Sequence, residues 1–228
     1  MSTRTLFIGD VHGCYDELMA LLEKVEIHDD DTLYFVGDLI NKGPKSLEVV
    51  EFVRNRPNTF SVMGNHEFFS LKKEYISYEE NNHLKWIENR YEQTYELRTK
   101  LNDMGYTDWI LSFPIYIERE DFILVHGGFH PKYGKDTPAE IATMIRVIEG
   151  KPWYESYTGE KLVIYGHWAT AGLRVTKNTI GLDTGCSFGG HLTAYCLETA
   201  EFWQVRANKV YAVPANWKIL PTSISSKD

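Results

Sequence analysis

Cysteine is scarce in this chain, at three residues in 228. Cys14, Cys186 and Cys196 are too few, and odd in number, for a disulfide framework, so a reducing compartment fits them better. No apolar run reaches membrane-spanning length. The first strand follows Met1 too closely to leave room for a cleavable signal, and the expectation is a cytoplasmic protein. Positive charge is also short: 24 Lys and Arg face 32 Asp and Glu, a formal net charge of -8. That balance, without a basic stripe, disfavours a nuclease or any protein that grips a polyanion along its length. It leaves room for a small phosphorylated substrate, because bound cations can supply positive charge locally.

What is present is a core and a pattern of turns. Hydrophobic residues make up 43% of the chain, enough for one substantial core in a single domain over 1–228, with a frayed tail from about residue 220. Thr5–Ile8 is a short apolar run followed by a helical pattern in which Leu18, Leu21, Leu22 and Val25 share a face. A second strand at 32–36 precedes a helix opened by Pro44, with Leu47, Val50 and Val53 on one face. A third strand lies near 60–63. This β-α-β-α-β rhythm predicts parallel strands and an α/β fold. From Glu67 to about Leu111 the chain reads as two or three helices rich in aromatics (Tyr75, Tyr78, Trp86, Tyr91, Tyr95, Trp109), expected to pack a helical layer, with a substrate-stacking wall as the alternative. Buried-type strands follow at 122–125 and 162–165, a helix is predicted from Thr137–Pro138 to about Glu149, and antiparallel strands close the chain near 192–197 and 202–205.

Each strand of the first type ends in glycine beside an oxygen or imidazole donor. The motifs are Gly9-Asp10-Val11-His12-Gly13, Gly37-Asp38, Gly64-Asn65-His66-Glu67, His126-Gly127-Gly128, Gly166-His167 and Leu182-Asp183-Thr184-Gly185. Any one of them is close to noise. Together they set candidate ligands just past the carboxyl ends of strands, the edge where open α/β sheets bind ligands. Asp10, His12, Asp38, Asn65, His126 and His167 supply two carboxylates, one amide oxygen and three imidazoles. Two divalent cations about 3.5–4 Å apart need roughly such a set, with one carboxylate bridging, and can ionise a water for in-line attack on phosphorus. A single zinc would need only three or four of these donors, and helix-capping Asp and core His residues would need none. Mixed O and N donors suit Mn, with Fe or Zn as alternatives.

In this order the motifs resemble the calcineurin-like metallophosphoesterases, in the branch that holds Ser/Thr protein phosphatases and symmetrical bis(5'-nucleosyl)-tetraphosphatases. The likeness runs from about Thr5 to Tyr195. It implies a central β-sandwich of mixed sheets flanked by helices in four layers (α/β/β/α). It also implies that Asp10 and His12 hold a first metal, that Asp38 bridges, and that Asn65, His126 and His167 hold a second. By the same resemblance His66 is the acid that protonates the leaving oxygen. Gly9–Leu18, Gly43–Val49, Gly166–Ala169 and Leu182–Cys186 look most like the tetraphosphatases. The departure is at Asn41-Lys42, where protein phosphatases carry Asp then Arg. An amide cannot stabilise an imidazolium as a carboxylate does, and an ammonium is a point charge in place of a bidentate fork.

The resulting expectation is a phosphohydrolase with no covalent intermediate, in which Asp38 and His66 do the chemistry. Its expected substrate is a nucleotide polyphosphate, centred on symmetrical cleavage of diadenosine tetraphosphate. A phosphoprotein phosphatase is the first alternative and a non-catalytic scaffold of the same shape the second. Lys42, Arg146 (about two turns into its predicted helix) and Asn65 are the candidate phosphate-gripping residues. Trp153 and Tyr154 either line the pocket or pack beneath a loop. His28, His83, His130 and His191 are not expected to be ligands, Asp183 is expected to support the Thr184-Gly185 turn, and Cys14 and Cys186 are potential neighbours. The chain is short for a tetraphosphatase, so the part that would hold a second nucleoside is expected to be reduced.

Overall fold

The computed structural model describes residues 3–72, 88–169 and 172–213, with side chains from 73 to 94 excluded. The strands alternate strictly. In β1 (Thr5–Ile8), Leu6 and Ile8 point to one face and Phe7 to the other. In β2 (Thr32–Phe35), Leu33 and Phe35 take the first face and Tyr34 the second. The period of two sorts the side chains into different cores, and burial on both faces explains why these strands read as continuous apolar runs.

β1, β2 and β3 (Thr59–Ser61) pair in parallel, as the β-α-β-α-β rhythm predicted. β11 (His191–Cys196) and β12 (Phe202–Arg206) add antiparallel to the far edge, giving the order β12-β11-β1-β2-β3. A second sheet has the order β4-β5-β8-β10-β9, built from Tyr116–Glu118, Phe122–Val125, Leu162–Tyr165, Thr179–Gly181 and Arg174–Val175 respectively. β5, β8 and β10 run parallel, with β4 and β9 antiparallel at the edges.

The sheets meet face to face through Phe7, Tyr34, Val36, Phe122, Leu124, Ile164, Ile180 and Leu182. Phe7 is the hub of this layer, edge-on to Phe122 at 4.8 Å and stacked near Tyr34 at 5.5 Å. Behind the first sheet lie α1 (Tyr15–Val25) and α2 (Ser46–Asn55). On this side of the fold too are α3 (Asn65–Leu71), α4 (Glu88–Asp103) and α5 (Thr107–Leu111), whose Leu71, Leu101 and Ile110 join the same core. Behind the second sheet lie Phe129, Trp153 and Tyr165, with α6 (Ala139–Ala142) and a hairpin, β6 (Val147–Ile148) and β7 (Lys151–Pro152). The expected central β-sandwich of mixed sheets flanked by helices is therefore the fold.

Three local expectations change. The helix predicted to run to Glu149 stops at Ala142. Glu149 and Gly150 both take positive φ, 48° and 81°, and close a two-residue hairpin turn, which converts the rest of that segment to β6 and β7. Arg146 accordingly leads into a hairpin strand and is not in a helix. Pro44 does not open α2, which begins two residues later at Ser46. Of the two alternatives for Trp153 the structure takes packing: it is 1% exposed in the core behind the second sheet. Tyr75, Tyr78, Trp86, His83 and the Tyr91 side chain lie outside the described residues, as does the tail beyond 213. Tyr95 is exposed and Trp109 packs on Phe113.

Candidate metal centre

Both sheets deliver their strand ends to one place. Asp10 follows β1, Asp38 follows β2, Asn65 follows β3, His126 follows β5, His167 follows β8 and Asp183 follows β10. Reaching it strains the backbone: His12, Asp38, Asn41, Lys42 and His167 hold φ values of 49°, 52°, 71°, 67° and 67°. Left-handed conformations at non-glycine residues cost roughly 1–2 kcal/mol each and persist only where the surroundings enforce them. Glycine is required where chains pass closest. A Cβ on Gly166 would lie 2.2 Å from Asp10 Oδ1, and one on Gly64 would lie 2.3 Å from Asp38 Oδ1.

The three histidines share one logic. His12 Nδ1 donates to the Ile40 carbonyl at 3.0 Å, His126 Nδ1 to Val36 at 2.7 Å and His167 Nε2 to Met144 at 3.0 Å. Each main-chain acceptor fixes a tautomer and turns the other ring nitrogen, with its lone pair, into the site. His126 Nε2 and His167 Nδ1 then face the same Asn65 Oδ1, at 2.9 and 2.8 Å. Asp38 Oδ2 stands 3.3 Å from His12 Nε2 and 3.5 Å from His126 Nε2. These are lone-pair donors converging on one another, an arrangement that calls for cations between them.

Their grouping separates into two sets sharing one carboxylate. Donor atoms of Asp38, His126 and His167 lie within 4.8 Å of one another, and so do those of His12, Asp38 and His66. Asp38 belongs to both, the position of a bridge. Asp10 adjoins the sets and is in neither; its carboxylate accepts the His167 main-chain N–H. At the His12 set an ammonium already stands in for a cation: Lys42 Nζ lies 2.6 Å from His12 Nε2 and 4.7 Å from the Phe188 ring centroid. The donors and the stand-in charge both fit a divalent pair.

Electrostatics agree with that reading. Burial would raise the Asp38 carboxyl, but His126, His66 and His12 around it hold it well below the usual carboxylate range. Burial would likewise lower His126, yet Asp38 and Asp10 carry it up to about 9. Burial pushes His12 down, helped by Lys42, and pushes His167 down, helped by His126 and Arg146. Asp10 is driven well above its ordinary value by burial and by Asp183. Without a metal, the Asp38 charge is thus offset by protonated imidazole, the role that bound cations would take.

The remaining expected residues fall at the rim or behind it. Arg146 Nη2 donates to the His167 carbonyl at 3.0 Å. His66 rests its ring 4.7 Å from that of His12, with Asn41 Nδ2 3.1 Å from His66 Nδ1. Asp183 accepts the Gly185 N–H and supports that turn, as expected. His28 and His191 are exposed, and His130 Nδ1 accepts the Lys132 N–H in its own loop. Cys14 and Cys186 are neighbours, both buried.

One residue of consequence had no role in the sequence reading. Glu67 is fully buried, and its carboxylate accepts the N–H groups of Asp38, Leu39, Ile40 and Gly64 at 2.8–3.2 Å. It caps α3 and moulds the Asp38 corner at once. The signal was its place three residues after an N-cap glycine.

Against known proteins, the profile of the calcineurin-like phosphoesterases matches residues 3–213. A symmetrical bis(5'-nucleosyl)-tetraphosphatase of Dechloromonas aromatica is 26% identical, over 92% of this chain and 98% of the relative. One of Neisseria meningitidis is 28% identical, over 88% and 94%. A crystal structure assigned provisionally to the diadenosine tetraphosphatases superposes with a TM-score of 0.75 at 28% identity, over 91% of this chain and 95% of that one.

Proposed function

This chain belongs to the calcineurin-like phosphoesterases and is a hydrolase, and from that premise we propose that it cleaves diadenosine tetraphosphate symmetrically, or a closely related phosphoanhydride. The observation that carries the substrate class is the Asn41–His66 pair. As placed, the Asn41 amide donates to His66 Nδ1, which leaves the His66 proton on Nε2 and disfavours a second one. A neutral imidazole can donate a hydrogen bond but is far too weak an acid to hand over its proton. It suffices for a nucleoside phosphate leaving group, which departs as a stable anion, and serves a serine alkoxide poorly. The names of the relatives point the same way.

His12 and Asp10 with Asp38 would hold one divalent cation, and Asp38, Asn65, His126 and His167 a second, with Mn favoured by the mixed donors. Bound there, the two cations supply Lewis acidity that neutralises phosphoryl oxygens and acidifies water. The chain's own residues do the rest. Lys42, released from His12 Nε2, reaches a phosphoryl oxygen from its rim position, and Asn65 offers its amide N–H groups. Arg146, braced on the His167 carbonyl, presents its remaining guanidinium donors to the phosphate. His66 would donate an Nε2–H hydrogen bond to the departing ADP oxygen, which leaves as an anion without taking the proton.

The alignment with the Dechloromonas relative extends over 278 positions against 228 residues here, so the relative carries segments that this chain lacks. This supports a reduced grip on the second nucleoside. No described helix is long and apolar enough to cross a membrane, and the sparse thiols fit a cytoplasmic enzyme acting on a free nucleotide, with no nucleic-acid or membrane partner.

The test is product analysis. Mn-loaded protein incubated with diadenosine tetraphosphate should yield ADP as the sole nucleotide, an Asp38→Asn control should yield none, and a phosphothreonine peptide should stay intact. Phosphate released from the peptide while the dinucleotide survives would sink the anhydride reading in favour of a phosphoprotein phosphatase.

A further inference from the structure

A second set of metal-type donors sits apart from the six just described. Cys14, at the start of α1, Glu17, one turn further, and Cys186, after the Gly185 turn, place ligand atoms within 4.8 Å of one another. All three residues are 1% exposed. Glu17 Oε1 is held by the Asn208 N–H and the Tyr211 hydroxyl, at 2.8 and 2.7 Å. Its other oxygen, Oε2, is buried with no hydrogen-bond partner, and so is the hydroxyl of Ser187, next to Cys186. An unsatisfied buried carboxylate oxygen costs more than most single interactions gain, and natural interiors rarely leave one.

The donor chemistry names the missing partner. Two thiols and a carboxylate form a soft, compact set suited to zinc, whereas the six-donor site is all oxygen and nitrogen. Donor atoms around tetrahedral zinc stand roughly 3.5–4 Å apart, against at most 4.8 Å in this metal-free set. Without an ion the hydrogen bond to Cys14, and burial, keep the Cys186 thiol protonated far above its ordinary range. Buried thiols of this kind are poor redox sensors, which turns the pair away from a disulfide switch.

We propose that Cys14, Glu17 and Cys186 form a structural zinc site, distinct from the catalytic cations. On binding, both thiol protons leave to solvent, and the ion's two positive charges meet two thiolates and one carboxylate; the fourth position takes an oxygen ligand. The site would staple three segments beside the catalytic centre: the loop carrying His12, the turn supported by Asp183, and, through Glu17, residues 208–211.

Cobalt(II) reports the site without recourse to activity. Thiolate ligation gives an intense sulfur-to-cobalt charge-transfer absorption in the near ultraviolet that oxygen and nitrogen donors cannot produce, and this chain has only three cysteines. Full-length protein titrated with Co(II) should develop that band. Cys14→Ala should lose it, Glu17→Gln should need more cobalt to reach half of it, and Cys196→Ala should keep it. Excess zinc should bleach it. A wild-type protein with no such band overturns the proposal, and that result needs no variant to fold. A band unchanged in Cys14→Ala, or lost in Cys196→Ala, overturns it equally.

Discussion

The Asn41 side chain bridges His66 and Ser70, with its amide nitrogen 3.1 Å from His66 Nδ1 and 3.1 Å from Ser70 Oγ. Asn41 itself sits at φ 71°, a conformation asparagine tolerates better than most residues. The backbone strain at Asn41 thus aims an amide, with no formal charge, at the imidazole that faces the leaving group.

Replacing Asn41 tests that relationship. Asn41→Ala should lower kcat on diadenosine tetraphosphate by about 10-fold, the loss of one positioning hydrogen bond worth about 1.4 kcal/mol, with KM little changed. Asn41→Asp should let His66 carry a second proton, raising turnover of an alkyl phosphomonoester relative to the dinucleotide. Parallel steady-state kinetics on the two substrates checks this. An unchanged ratio in Asn41→Asp would mean that the pair does not set substrate class.

Lys42 has two positions to choose between. Its ammonium lies against His12 Nε2, the lone pair a cation would use. Lys42→Met should therefore tighten cation binding at the unloaded site, read by isothermal titration. It should also raise KM for the dinucleotide by about 10-fold, the loss of one charge-assisted hydrogen bond worth about 1.5 kcal/mol. Weaker cation binding in the variant would make Lys42 a support of the site and not its competitor.

Much of this arrangement was legible in the chain before any coordinates. The apolar runs ending in Gly9-Asp10 and Gly37-Asp38 are buried parallel strands, the run ending in Gly64-Asn65 is the parallel edge strand beside them, and all three announce their ends through glycine because the backbone must pass close to a neighbour. The three imidazoles followed from the same pattern. The face-to-face pairing of two sheets came only with the family resemblance, since periodicity does not say which apolar face meets which. Arg146 was misplaced because the helix begun at Ala139 was carried too far: Thr143, Ile145, Val147 and Ile148 are β-branched and favour a strand, and the decisive turn, Glu149–Gly150, works through positive φ, which residue type only hints at. Glu67 escaped because four main-chain N–H groups from two separate segments become its partners only after β2 and β3 pair.

Glu67 should therefore be costly to change. Glu67→Ala strips four main-chain donors of their acceptor in a buried corner, and a loss of about 3 kcal/mol or more is expected. Glu67→Gln keeps the shape, but its NH2 cannot accept, so part of the loss should remain. Urea unfolding of the three proteins checks the order wild type, Gln, Ala. Activity should fall in the same order, because the Asp38 corner is built on these bonds. Equal midpoints for Glu67→Ala and wild type would remove Glu67 from that role.

Acid should expose a different dependence, far from the centre. Arg4 reaches Asp31 Oδ2 at 2.6 Å, and Asp31 also accepts the main-chain N–H groups of Arg4 and His28. Burial alone would raise the Asp31 carboxyl, but Arg4 and those N–H groups hold it below its ordinary value. A carboxylate whose folded pKa is depressed binds fewer protons folded than unfolded. Its stabilisation is complete above the unfolded pKa, about 3.9, and drains away as pH falls through the folded value. Asp31→Asn should accordingly lower the melting temperature near neutral pH, and the gap from wild type should narrow as pH drops below about 4. Because the pair ties the start of β1 to the segment entering β2, the variant should leave kcat at neutral pH unchanged at temperatures where it stays folded. Melting curves from neutrality into acid decide the matter: a gap that stays constant across that range would show that the charge of Asp31 contributes nothing, and that only its hydrogen-bonding shape is used.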